Sequence, residues 1–156
     1  MHPFFADYLE RMEALHRDFI ATFDDLPAEA LDWVPGKDTN SLCVLVVHTA
    51  GAARFWIGDV ALGENSNRNR AAEFEASGLT HDELKAHFTK LEAYMRDALE
   101  RILLDDLTQM RSASRSDGSL RHMTAGWALL HALEHTGMHL GHAQLTRQMW
   151  QQSQKG

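Results

Sequence analysis

Four stretches of this 156-residue chain repeat apolar side chains at the spacing of an α-helix, and none alternates apolar with polar residues as a half-buried strand does. The first runs from about Pro3 to Leu26 through Phe4 or Phe5, Tyr8, Met12, Leu15, Phe19 and Phe23. Pro3 suits its first turn, where a missing N–H loses no intrahelical bond. After Pro27 and the breaker pair Pro35-Gly36, Asn40 or Ser41 is placed to cap a second helix from about Leu42 to Leu62, striped by Leu42, Leu45, Val46, Thr49, Ala53, Trp56 and Val60. Thr80 and Glu83 make a capping box for a third, which reaches about Leu104 through Leu84, Phe88, Leu91, Met95, Leu99 and Ile102. The fourth starts near Leu120 or Thr124 and ends near Gln151, ahead of a tail expected to fray. Four such helices predict an all-α four-helix bundle forming a single domain over residues 1–156.

Two connections are long. Residues 63–78 are polar, Asn-rich and flanked by glycine, and read as an exposed excursion; residues 104–123 are rich in Ser, Asp and Arg. Connections of that length carry function or are mobile.

Charge narrows the partners. A net charge of -7 argues against a nucleic-acid phosphate backbone, which needs clustered Lys and Arg. Arg68, Arg70, Arg111 and Arg115 fall in the connections, interspersed with polar and acidic residues. No apolar run approaches the roughly 20 residues of a membrane-spanning helix, so no membrane partner is expected. The opening MHPFFADYLE lacks the basic segment and apolar run of a secretory signal, which makes the cytoplasm the expected compartment. Cys43, the one cysteine, lies in the apolar run LCVLVV and reads as a buried, inert thiol.

The fourth helix carries the chemistry. His131, His135 and His139 are four residues apart and His142 follows. Four helical residues advance about 6 Å and return to nearly the same face, so these imidazoles form a ladder. Two histidines at i and i+4 can converge on one transition-metal ion, a geometry that fits His131 with His135 or His135 with His139. Because Trp127, Leu130, Leu133, Met138 and Leu145 share the helix, part of the ladder should approach the bundle interior. A metal site, a histidine hydrogen-bond network and surface histidines are the readings open from spacing. His48 borders the apolar stripe of the second helix and should point toward a neighbouring helix. His2, His16, His81, His87 and His122 sit at ends or on polar faces. HALEH also fits the H-x-x-E-H pattern of inverted zinc peptidases, with Glu134 as base. No acidic residue follows Glu134 to complete the ligand set, and a small bundle has no strand edge for a peptide.

The run HALEHTGMHLGHAQLTRQ resembles the last-helix signature of the DinB/YfiT-like superfamily of bacterial four-helix proteins. LDWVPGKDTNSLCVLVVHTAGAARFW is similar to its second-helix signature, a W-x-P loop and Ser cap leading to a mid-helix histidine and then an aromatic. The resemblance covers essentially the whole chain. It implies one divalent metal ion per chain, held by His48, His135 and His139, with His131 at a variable position and Leu140 and His142 where Arg and Gln are common. Imidazole suits zinc, the first choice, as well as nickel or iron. Which of His131, Glu134 and His142 lies outside the ligand set is left open.

Three histidines leave a coordination position for water or substrate, the arrangement of a catalytic site. Characterised relatives include transferases and isomerases that use bacillithiol, mycothiol or glutathione, so the resemblance implies a metal-dependent transferase joining a low-molecular-weight thiol to a small electrophile. The alternatives are a metal-dependent hydrolase of a small substrate and a non-catalytic metal-binding or stress-response protein. A homodimer is expected from the family and from the prevalence of two-fold assemblies.

Overall fold

In the computed structural model, which describes residues 1–114 and 118–155, the elements run α1 (Pro3–Ile20), α2 (Ala28–Leu31), α3 (Leu42–Arg54), α4 (Arg70–Glu73), α5 (His81–Arg101), a 3-10 turn (Leu104–Thr108), β1 (Met110–Ser114), β2 (Leu120–Thr124) and α6 (Ala125–Ser153). The four long helices each begin where a side chain meets backbone donors that a first turn leaves unpaired. His2 accepts from the Phe4 amide, Ser41 from Val44 and Thr124 from Trp127, while Thr80 and Glu83 form the full reciprocal box.

α1 and α3 each pack against α5 and α6. Phe5, Met12 and Phe19 of α1 meet Leu42 of α3 and Phe88 and Met95 of α5 in a core from which these side chains are completely excluded from water. Each contributes on the order of 1.5–3 kcal/mol by burial. Tyr8 adds a directional tie, its hydroxyl donating to the Leu129 carbonyl of α6 at 2.8 Å. The buried face of α6 is built mostly from small residues, Ala128, Ala132, Thr136 and Ala143, with His139 among them. Small residues there leave room for imidazole rings between α6 and α3.

Several expectations change. α3 continues without a break into π-helical turns over Phe55–Leu62, ending at Gly63 in the left-handed conformation. The continuous helix Leu42–Leu62 is therefore long and apolar enough to cross a membrane by length and composition, contrary to the reading of the sequence, but 67% of its most apolar window is buried inside the bundle. That is the profile of a core helix. The third helix stops at Arg101, because Ile102 turns extended, and the tail is helical through Ser153.

The second connection folds into an antiparallel hairpin, with Met110 opposite Thr124 and Ser114 opposite Leu120. It carries no alternating signal because Ala113 and Met123 are its buried residues while the other strand positions face solvent at least in part. The apolar residues Leu130, Met138 and Leu145 of α6 are exposed, so apolar character does not mark the buried side of this helix. His16, contrary to the polar face its position suggests, is completely buried, stacked on Phe88 and hydrogen-bonded through Nδ1 to Glu92 at 3.0 Å. Arg115 lies outside the described residues.

Candidate metal centre

His48 projects from the middle of α3, and His135 and His139 from successive turns of α6. The structure brings these three together: one ring nitrogen from each lies within 4.8 Å of the others. His135 Nε2 and His139 Nε2 are 3.2 Å apart, and the His48 ring centre is 5.0 Å from each of theirs. Two nitrogens bonded to one ion at 2.0–2.1 Å, at angles between square and tetrahedral, sit about 2.8–3.4 Å apart. The α6 pair already has that spacing, so the three rings could hold a metal ion.

Protonation favours the same reading. Burial, followed by repulsion from His139, His48 and His131, pushes His135 down to about 3. Burial, with His48 and His142, pushes His139 down to about 4. Both rings are neutral at physiological pH and offer lone pairs, the form a metal requires.

Two of the rings are oriented from behind. His48 Nδ1–H donates to Glu73 Oε2 at 2.9 Å, which leaves His48 Nε2 with the lone pair. Arg68 grips the same carboxylate with two bonds, Nε to Oε1 at 2.6 Å and Nη2 to Oε2 at 2.7 Å. Burial on its own would raise the Glu73 carboxyl, but the bonds from His48 and Arg68 outweigh it and hold the group below the usual range, hence ionised. Histidine ligands are commonly fixed by such a carboxylate. Gly51 makes room for it, since a Cβ there would lie 2.3 Å from Glu73 Oε1. His139 is backed by His142, with their Nδ1 atoms 3.3 Å apart. His135 Nδ1 is buried without a partner among the described residues.

Glu73 and Arg68 escaped the sequence reading, which assigned residues 63–78 to an exposed excursion. Glu73 is buried, at 7% exposure, at the end of the single-turn helix α4. Arginine five residues before an acid in an Asn-rich stretch was the one available signal.

His131 stands apart from the three. It stacks on Trp127 at 4.7 Å between ring centres and meets the edge of Trp56 at the same distance. Glu134, its side chain 78% exposed, is 3.5 Å from His131 Nδ1 and is not one of the residues that converge on the cluster, so the peptidase pattern does not place its base there. A cavity of about 610 Å³ opens beside the site, lined by His48 and His135 and also by Phe55, Trp56 and His131.

A sequence model of the DinB superfamily matches residues 11–143. The chain belongs to the DinB superfamily. Among solved structures, this DinB-superfamily chain is similar to one described as the conserved protein of locus from Enterococcus faecalis, with a TM-score of 0.72 and 17% identity over 91% of this chain and 94% of that one. At that identity the likeness shows the shared fold. No curated protein matches the chain.

Proposed function

We propose that His48, His135 and His139 bind one divalent ion, zinc first with nickel and iron as alternatives, and that the protein is a cytoplasmic metal-dependent transferase joining a low-molecular-weight thiol to a small electrophile. The observation that carries this reading is the meeting of three imidazoles with an open cavity beside them. An ion held by uncharged ligands keeps its full positive charge and favours an anionic ligand such as a thiolate. The chain's own residues do the rest. Glu73 fixes the tautomer of His48, Arg68 keeps Glu73 ionised, and Phe55 and Trp56 give the cavity an apolar wall. In the transfer the thiol gives up its proton to solvent, a sulfur–carbon bond forms, and the leaving group departs with its bonding pair.

The sulfur comes from outside the chain. Cys43 is completely buried, and burial together with a hydrogen bond to Asp32 raises its thiol to about 12, so it is not an internal nucleophile. The test is a stopped conjugation assay of metal-loaded protein, chelated protein and His139→Ala with bacillithiol, mycothiol and glutathione. Turnover confined to the loaded wild type is the expected result. Background rates in all three preparations would leave the hydrolase or the binding-protein reading.

A second copy of the chain completes the proposed assembly. Leu130, Met138, Leu145 and Met149 are exposed and fall on one side of α6 by helical spacing, a face suited to a homodimer.

A further inference from the structure

The cavity that opens on the histidines has a wall whose charge runs against the rest of the molecule. The chain has 22 acidic against 15 basic residues. Yet among the described residues those lining this cavity include Arg68, Arg70 and Arg121 and no carboxylate. Arg68 is engaged with Glu73. Arg70 and Arg121 have no carboxylate partner among the described residues. Each is instead laid over an aromatic ring, Arg70 with its guanidinium carbon 4.7 Å from the Phe74 centroid and Arg121 4.1 Å from that of Trp127. A guanidinium resting on a ring face is held in place without being neutralised, and its N–H fork stays available for a planar anion. The two arise from different connections, Arg70 from α4 and Arg121 from β2, so the fold delivers two unneutralised cations to one cavity beside one candidate metal centre.

We propose that Arg70 and Arg121 form the anion-recognition wall of this cavity, and that the molecule reaching the metal carries carboxylate groups at the end away from its reacting atom. The inference rests on the thiol-transferase reading and narrows it. A carboxylate-bearing thiol such as glutathione or bacillithiol satisfies the wall, whereas mycothiol, which has no carboxylate, leaves it unmet. Phe55 and Trp56 also line the cavity, and their apolar surface would contact the carbon skeleton of such a ligand.

The probe is cobalt-loaded protein, whose visible spectrum reports the ligand field and whose near-ultraviolet charge-transfer band reports sulfur binding. Glutathione and its diethyl ester share the thiol and differ in both carboxylate charges. Wild-type protein should bind glutathione at least tenfold more tightly than the ester, with the difference shrinking as salt rises. In Arg70→Gln/Arg121→Gln the preference should fall below threefold while the ester's affinity and the cobalt spectrum of the unliganded protein stay the same. Each single variant should lose part of the preference, which covers a double variant that folds poorly. Equal affinities in wild type, or an undiminished preference in the variants, would overturn the wall and leave the metal centre standing. If no thiol perturbs the cobalt spectrum, the thiol reading fails, and the wall is then decided by calorimetry with S-methylglutathione, which has the carboxylates and no thiol. Binding to wild type that is lost in the double variant keeps the wall, and absence of binding to wild type overturns it.

Discussion

Glu73 stands directly behind His48, its Oε2 2.9 Å from the ring's Nδ1, and Arg68 holds the carboxylate from its far side. The ring nitrogen facing the other two histidines is thus selected by a residue 25 positions away in the chain. Removing the carboxylate while leaving all three rings in place should lower metal affinity roughly 10–100-fold, the usual effect of losing such a partner. Competition of Glu73→Ala and Glu73→Gln against a chromophoric chelator measures it. Gln, which keeps an acceptor oxygen, should retain more affinity than Ala.

Gly51→Ala probes the same bond from the opposite side. The new methyl would lie 2.3 Å from Glu73 Oε1, so the carboxylate must shift away from residue 51, which disturbs its bond to His48. Alanine is otherwise the better helix former by about 0.8–1.0 kcal/mol. The expected outcome is weaker metal binding with helix content by circular dichroism undiminished. Unchanged affinity would show that Glu73 can relocate without losing His48.

Metal content separates the histidines. Protein purified without a nickel column should carry about one ion per chain, a stoichiometry set by one three-nitrogen cluster. His135→Ala and His139→Ala should lose it, and His131→Ala should keep it, since that ring packs between two tryptophans. Elemental analysis of each variant decides the ligand set.

Acid should weaken the metal-free fold. The unfolded chain takes up protons at ordinary histidines near pH 6.5, while folded His135 and His139 resist them to about 3 and about 4. Over the interval between these values the unfolded state binds more protons, so stability is retained above about pH 6.5 and declines as the pH falls toward 4. Thermal melts of chelated protein from pH 7.5 to pH 4.5 should show a falling midpoint. A His135→Gln/His139→Gln variant should show a shallower fall over the same range.

Light scattering at micromolar concentration should return twice the chain mass. Leu145→Lys, which places a charge on the exposed face of α6, should return the monomer mass with the metal content intact. A monomeric wild type would remove the dimer without touching the site.

The helices were legible because each announces itself locally. Periodic apolar residues, Ser41, and the Thr80–Glu83 pair all act within one or two turns; the structure puts Ser41, one of the two candidates, at the cap of α3 and the full box at the start of α5. His135 and His139 were legible for the same reason, being one turn apart. What escaped depends on distant partners. Glu73 is buried by contacts to His48 and Arg68 that no local pattern encodes, and the hairpin has too little buried surface to impose alternation. His16 was legible in principle, lying four residues after Met12 and three before Phe19 on the buried stripe of α1. Leu130, Met138 and Leu145 misled because apolar character was equated with the interior, whereas α6 turns its alanines and threonines inward.

The three candidate ligands lie on two long helices of the bundle, while Glu73, Arg68, Arg70 and Arg121 all come from the connections between helices. The proposed ion capture and the proposed ligand choice therefore occupy separable parts of the chain. Exchanging the cavity-facing positions of the 63–78 connection and the hairpin between members of one fold could redirect what is bound while the histidine cage stays as it is. Residue 73 marks the border between the two, since it belongs to a connection yet answers to the cage.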